Sequence, residues 1–136
     1  MARGCKDHPH IVRVYEWFED QQSFYIIMES CPGGDLADEI DSMTGSNEWL
    51  TEKTVARYIR QVLMASAYCH SIGVVHRDIK PANVMKVSRT DDHSDVKVID
   101  YGLASLLPPG AGLDAQKACG TAVFMEKSHS IIRGVS

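Results

Sequence analysis

Three polar side chains that suit phosphate chemistry lie within a stretch of six residues. Asp78, Lys80 and Asn83 supply a carboxylate, an ammonium and an amide, and a second carboxylate, Asp100, follows further along the chain. Carboxylate and amide oxygens are hard ligands that suit Mg²⁺, and a lysine neutralises phosphate charge. The residue types and their spacing therefore predict a site that holds metal-bound phosphates against a hydroxyl nucleophile.

The elements that must position these residues alternate between strands and helices. β-branched and aromatic runs predict two strands that form an antiparallel hairpin, and helical spacing predicts a short and a long helix. The polar loop then lies between short strands, two of which are joined by a polar insert at 88–95. The predicted strands are 11–18, 24–28, 74–75, 84–87 and 96–99, and the predicted helices are 35–42 and 51–72.

The long helix carries its own start and stop signals. Thr51 is the expected N-cap, Glu52 suits the positive end of the helix, and Gly73 is expected to end it. Apolar and small residues recur at helical spacing and predict one buried face. That face comprises Val55, Tyr58, Ile59, Val62, Ala65, Ser66 and Cys69.

Composition narrows the class of protein. The 136 residues carry a net charge of −4 with scattered basic residues, so neither nucleic acid nor an anionic membrane is an expected partner. The four cysteines are widely spaced and contain no C-x-x-C pair, which argues against disulfides and zinc. No apolar run approaches the roughly 20 residues of a membrane span. The expectation is a soluble cytoplasmic protein.

The sequence His76-Arg77-Asp78-Ile79-Lys80-Pro81-Ala82-Asn83 and the later Asp100-Tyr101-Gly102 resemble the catalytic core of eukaryotic protein kinases, serine/threonine branch. The resemblance implies an α+β, protein-kinase-like fold. It further implies a fragment with the last two small-lobe strands, the hinge and the first half of the helical large lobe through the activation segment. The implied division is a small-lobe remnant at 1–30, a partial large lobe at 31–125 and a tail without kinase character at 126–136.

The resemblance also implies roles for individual residues, with ATP and Mg²⁺ as the bound groups and a Ser/Thr-containing protein as the substrate. Asp78 would accept the proton of the substrate hydroxyl, and Lys80 would neutralise charge on the transferred phosphoryl group. Asn83 and Asp100 would bind the metal. The nucleotide would be contacted by the gatekeeper Met28, the hinge residues Glu29 to Cys31, the ribose acceptor Asp35, and the floor residues Met85 and Ile99.

Other residues of the motif would have structural or regulatory roles. His76 would pack under Tyr101, beside Gly102, in a column that Val14 joins from the sheet above. Arg77 would await a phosphate on the activation segment, but Lys117 stands where the phosphorylated residue is often found. The segment around Thr121, Cys119-Gly120-Thr121-Ala122-Val123-Phe124-Met125, resembles the substrate-facing end of this segment in calcium-dependent and calcium/calmodulin-dependent kinases.

The chain also departs from the kinase pattern. It has no Gly-rich phosphate loop and no strand lysine, and Glu126-Lys127-Ser128 stands where Ala-Pro-Glu is expected. We therefore expect a fragment that is inactive by itself. Two interpretations stay open: the catalytic segment of a protein serine/threonine kinase, or a non-catalytic, pseudokinase-like product that acts as a binding or decoy module or has no function. Taken singly, a loop Asp or Lys is usually only solvated, and Gly33-Gly34-Asp35 is usually an ordinary turn.

Overall fold

The computed structural model describes residues 8–44, 46, 49–90 and 93–106. These residues form a mixture of helices and short strands, as the α+β class requires. The strands are β1 (Val14–Glu19), β2 (Phe24–Met28), β3 (Val74–Val75), β4 (Val84–Lys86), β5 (Val96–Val98) and β6 (Ser105–Leu106), and the helices are α1 (Leu36–Met43) and α2 (Glu52–Ser71). A 3-10 turn, Pro81–Asn83, precedes β4.

The predicted hairpin is present, but its first strand begins three residues later than expected. β1 and β2 pair antiparallel, from Val14 opposite Met28 to Glu19 opposite Phe24. The residues before Val14 pair with β5 instead. Val12 donates its N–H to the Val98 carbonyl at 3.0 Å, and Val98 donates to the His10 carbonyl at 2.9 Å. Local strand propensity predicted the extended backbone correctly and could not identify which strand it pairs with.

Helix α2 begins and ends where its signals predict. The Thr51 hydroxyl accepts a hydrogen bond from the Thr54 N–H at 3.1 Å, which satisfies one of the free donors of the first turn. Gly73 adopts φ of 76° and donates to the His70 carbonyl at 3.0 Å, so the chain leaves the helix through a left-handed residue. The loop at 76–83 follows immediately after β3, so this stop fixes where the polar segment begins.

The buried face of α2 differs from the predicted one. Tyr58, Ala65 and Cys69 are buried as expected, but Val55 and Ile59 are exposed and the polar Gln61 is buried. Helical spacing fits more than one face, and tertiary packing selects among them. Here α2 packs on β5, and the Gln61 side-chain oxygen accepts the Val96 N–H at 2.8 Å, a donor that an apolar side chain would leave unsatisfied.

The core lies between α2 and the β4–β5 pair. One cluster contains Ile11, Ala65, Cys69 and Val98, and a second contains Tyr58, Val84 and Val96. The two strands predicted on either side of the polar insert, β4 and β5, pair antiparallel with Val84 opposite Val98. Because Val84 directly follows Asn83 and Val98 lies two residues before Asp100, the core anchors both ends of the candidate site.

Much apolar surface is exposed among the described residues. Every residue of β1 and β2 is exposed, including Trp17 at 49% and Ile26 at 53%. Of the four cysteines, Cys31 and Cys69 lie in the described part, and both are buried free thiols. Within the described ranges, no helix combines the length and the apolar character needed to cross a membrane.

Candidate active site

His76 anchors the polar loop beneath β5. Its Nε2 lies 2.9 Å from the Ile99 carbonyl, and its Nδ1 accepts the Asp78 N–H at 3.2 Å. A carbonyl can only accept and a backbone N–H can only donate, so this geometry selects the neutral tautomer protonated on Nε2. The buried ring lies 4.6 Å from the Tyr101 ring, which is the ring contact that the sequence predicted. His76 is thus part of the packing that orients Asp78.

Beyond the contact between His76 and Tyr101, the observed packing differs from the predicted column. Tyr101 packs against the cluster that contains Ile11 and Cys69, and its hydroxyl lies 3.7 Å from the Cys69 sulfur. Val14, which the sequence placed above this column, is 53% exposed on β1. That prediction was wrong because Ile11, through its backbone bridge to Val98, occupies the inner position before the hairpin begins.

Asp78, Lys80 and Asn83 form one network, as their spacing predicted. Lys80 Nζ lies 2.8 Å from Asp78 Oδ2, and Asn83 Nδ2 donates to the same oxygen at 2.9 Å and to the Asp78 carbonyl at 2.8 Å. The hydrogen bond from Lys80 is the main cause that lowers the pKa of Asp78, and the bond from Asn83 adds to it. The Asp78 carboxylate is therefore ionised at neutral pH and held by two donors.

Asp100 is brought to this network by its neighbour in the chain. The Ile99 N–H donates to the Asn83 carbonyl at 2.9 Å, and the Ile99 carbonyl binds His76. Asp100 itself is exposed, and its Oδ1 accepts the Gly102 N–H at 3.1 Å. The hydrogen bonds of Ile99 thus hold the start of the Asp100–Gly102 turn beside the loop that carries Asn83.

Two residues of the site have left-handed backbone conformations that non-glycine residues seldom adopt. Arg77 has φ of 67° and Asp100 has φ of 58°. Such conformations cost about 1–3 kcal/mol and are concentrated at functional sites. Arg77 Nε also donates to the Leu103 carbonyl at 2.8 Å, so its side chain reaches the segment that follows Asp100. The strain lies at the two positions that set the direction of Asp78 and Asp100.

The segment after Cys31 runs along β4. The Gly33 N–H donates to the Lys86 carbonyl at 3.0 Å, and the Lys86 N–H donates to the Gly34 carbonyl at 2.9 Å. Asp35 then forms a backbone bridge with Met85, so two predicted nucleotide contacts are neighbours. A Cβ on Gly33 would lie 2.4 Å from the Lys86 Cβ. Gly33 therefore permits a close approach to β4.

Asp35 has a structural role that the sequence reasoning missed. Its Oδ1 accepts the Asp38 N–H at 2.9 Å and caps α1. A cap of this kind is worth about 1 kcal/mol. The cap does not use the second carboxylate oxygen, which is left to accept from other donors. An Asp at the first position of a predicted helix is a signal that would have identified the cap.

The predicted gatekeeper, Met28, and the predicted hinge residues differ in their exposure. Met28 is exposed on β2, Glu29 is half-buried and Cys31 is buried. Burial, followed by the nearby Glu29 carboxylate, raises the pKa of the Cys31 thiol. The Glu29 carboxylate binds Lys97 through both oxygens at 2.8 Å, and this contact is the main cause that lowers its pKa. The Glu29 side chain is therefore occupied, and its N–H donates to the Arg13 carbonyl, so the backbone carbonyl is the part left for a nucleotide.

The oxygen donors of Asn83 and Asp100 fit a magnesium ion whose coordination shell is completed by phosphates. Asn83 uses its amide nitrogen on Asp78, which leaves the amide oxygen to face a ligand, and Asp100 has one carboxylate oxygen beyond the one that binds Gly102. Among the described residues, no group of three or more His, Cys, Asp or Glu side chains could hold a metal by itself. Mg²⁺ bound to nucleotide needs only one or two protein ligands, so this arrangement is compatible with it.

Some predicted residues cannot be placed. Thr121 and the rest of 107–136 lie outside the described residues, as do the three departures from Ala-Pro-Glu. Conversely, the structure identifies polar residues that sequence reasoning did not select. These are Gln61, the Lys86–Glu39 pair and Lys97, all of which contact partners more than 30 residues away in the chain.

Comparison with known proteins agrees with this geometry. A family model described as the protein kinase domain matches residues 1–127. Calcium-dependent protein kinase 5 of Plasmodium berghei is 41% identical over 99 residues, which is 73% of this chain and 17% of that protein. CDPK-related kinase 1 of Arabidopsis thaliana is 40% identical over 114 residues, which is 84% of this chain and 19% of that protein.

A third relative is the calcium/calmodulin-dependent serine/threonine-protein kinase 1 of Oryza sativa subsp. japonica. It is 39% identical over 107 residues, which is 79% of this chain and 17% of that protein. The chain therefore spans less than a fifth of the length of each of these three relatives.

Proposed function

Because this chain belongs to the protein kinase domain family, in its serine/threonine branch and near the calcium-dependent protein kinases, we propose that it supplies the catalytic segment of an ATP-dependent protein serine/threonine kinase. The observation that carries the proposal is the network of Asp78, Lys80 and Asn83, which is joined through Ile99 to Asp100. The reaction would transfer the ATP γ-phosphate to a Ser or Thr hydroxyl of a protein substrate.

In this proposal Asp78 accepts the proton of the attacking hydroxyl. The oxygen–phosphorus bond forms as the bond to the departing ADP breaks, and positioning supplies most of the rate. Because its pKa is lowered, the Asp78 carboxylate is a weak base. Its main role is therefore to orient the hydroxyl, and it takes up the proton late in the transfer of the phosphoryl group. Asn83 holds the carboxylate in place during this step.

Lys80 is suited to neutralise the negative charge on the phosphoryl group during its transfer. Its side chain is 52% exposed, and its ammonium is bound to Asp78 at the edge of the site. The ammonium therefore needs little rearrangement to contact an incoming phosphate. Asn83 and Asp100 would bind Mg²⁺, which when present neutralises phosphate charge.

The nucleotide would lie between the 29–35 segment and β4. We propose that Met28, the Glu29–Cys31 backbone, Asp35, Met85 and Ile99 contact it, in agreement with the bridge between Asp35 and Met85. On this assignment, 1–30 is a small-lobe remnant, 31–125 is part of the large lobe, and 126–136 is a tail.

Two aspartate substitutions test the proposal in the longest product of the transcript that encodes this chain, whether or not that product extends beyond the 136 residues. Asp78→Asn should reduce phosphotransfer by about 10³-fold or more and leave the Mg-ATP Kd within about threefold. Asp100→Asn should reduce both phosphotransfer and the affinity for Mg-ATP, because it removes a charged metal ligand.

The contrast between the two variants is decisive. Equal losses of Mg-ATP affinity in both, or wild-type turnover in Asp78→Asn, would refute the assigned roles. Nucleotide binding without any phosphotransfer in the wild type would instead favour the non-catalytic binding module.

A further inference from the structure

Three segments of the chain meet at Glu29. The Glu29 N–H donates to the Arg13 carbonyl at 2.8 Å, and the Arg13 N–H donates to Glu29 Oε2 at 3.3 Å. Lys97 Nζ contacts both carboxylate oxygens at 2.8 Å. Glu29 is thus fixed through its backbone and its side chain at once, by the residue before β1 and by a residue of β5.

The Lys97–Glu29 pair is partly shielded from water. The Lys97 side chain is 14% exposed and the Glu29 side chain is 26% exposed. A charge-assisted bond with both oxygens engaged, in such surroundings, is stronger than a fully exposed pair. This contact therefore provides a specific link between strand β5 and the segment that follows β2.

The position of the pair connects the two halves of the proposed nucleotide site. Glu29 opens the segment whose backbone is proposed to contact adenine, and Lys97 lies in β5 three residues before Asp100. The contacts described for the Lys97 side chain are with Glu29 and not with Asp78, Lys80, Asn83 or Asp100. It lines a separate groove of about 300 Å³, whose other lining residues are His8, Pro9, Ile11, Arg13, Tyr15 and Glu29.

We propose that Lys97 is a positioning residue for nucleotide binding, which acts through Glu29 to hold the adenine-contacting backbone in register with the strand that leads to Asp100. The inference rests on the proposed function. A nucleotide spans both ends of this link, so an unfixed Glu29 segment would have to be ordered when the nucleotide binds. The cost falls on nucleotide affinity, because no described contact joins Lys97 to Asp78, Lys80 or Asn83.

The test uses the longest product of the transcript and compares Lys97→Met, Glu29→Gln and the double variant with the wild type. We expect each single variant to raise the KM for Mg-ATP and the Kd for Mg-ADP by about fivefold, with kcat within about twofold. The double variant should be no worse than either single one, because all three lack the same contact. Lys53→Met, which removes an exposed lysine from the first turn of α2, should leave these values unchanged.

Different results overturn different claims. An unchanged Kd and KM in Lys97→Met, additive effects in the double variant, or a parallel fall of kcat and thermal stability without a change in KM would refute the positioning role. A wild type that binds Mg-ADP without phosphotransfer would refute the proposed function, while the Kd comparison would still decide the role of Lys97. A wild type that binds no nucleotide would refute both.

Discussion

Gly33 and Gly34 are adjacent in sequence, but the structure requires them for different reasons. An added Cβ on Gly33 would lie 2.4 Å from the Lys86 Cβ, 2.5 Å from the Lys86 carbonyl oxygen and 2.6 Å from the Ser88 carbonyl oxygen. An added Cβ on Gly34 would have no neighbour within 4 Å, but the residue has φ of +80°. Alanine at the two positions therefore tests steric contact and backbone strain separately.

The expected cost at Gly33 follows from the contacts that must move. Two of the three close atoms belong to the backbone, so the 33–34 segment must separate from β4 by about 1 Å. This would break the bonds from the Gly33 N–H to Lys86 and from the Lys86 N–H to Gly34, at about 0.5–1.5 kcal/mol each. With residual overpacking, we expect Gly33→Ala to lower the free energy of unfolding by about 3–4 kcal/mol. Gly34→Ala should cost about 1–2 kcal/mol, the usual penalty of a left-handed residue.

The assay is urea denaturation of the longest transcript product, followed by tryptophan fluorescence and circular dichroism, together with the Kd for Mg-ADP. Gly33→Ala should also weaken nucleotide binding more than Gly34→Ala does, because its clash displaces the segment that carries Asp35. Equal destabilisation by the two alanines, or a greater loss in Gly34→Ala, would refute the close approach of Gly33 to β4.

Three further predictions concern folding and charge. Gln61→Glu should destabilise the fold by about 2–3 kcal/mol at neutral pH, because it places a second carboxylate against that of Asp95. The Asp95 Oδ1 now lies 2.5 Å from the Gln61 amide nitrogen. Urea denaturation should show that the loss of stability shrinks as the pH falls. The stability lost in Lys97→Met should be largest above about pH 4.5 and should shrink at lower pH. The pKa of Glu29 is lowered in the folded state, so its carboxylate stabilises the fold above its unfolded pKa and loses that effect on protonation. Denaturation at pH 7 and pH 4 checks the sign of this change. The 136-residue chain alone should bind the dye ANS and unfold without a sharp transition, because the hairpin at 14–28 exposes its apolar residues on both faces; a cooperative melt with dispersed amide NMR signals would contradict this.

Local signals predicted the elements of the fold well. Thr51 and Gly73 fixed the ends of α2 because a cap and a left-handed exit depend on residues close in sequence. The polar network could be predicted for the same reason, since Asp78, Lys80 and Asn83 lie within one short loop. In each case the residues that decide the structure are neighbours along the chain.

Contacts between distant segments could not be predicted in this way. Gln61 bonds with the start of β5, and Lys97 bonds with Glu29 across 68 residues. Ile59 was assigned to the buried face because its spacing matches, but the face that packs is set by where β4 and β5 lie. Periodicity identifies candidate faces, and the partner selects one of them.

The left-handed conformations of Arg77 and Asp100 show how distant packing and local chemistry combine at the site. Neither residue is glycine, so each conformation opposes its intrinsic preference and must be maintained by other contacts. Arg77 is tied to the Leu103 carbonyl, and Asp100 follows Ile99, whose N–H and carbonyl are both bonded to the loop at 76–83. The cost of the strain is therefore met by long-range hydrogen bonds and by the core beneath β5. A sequence motif identifies which residues belong to such a site, but the direction in which Asp78 and Asp100 point is a property of the packed fold.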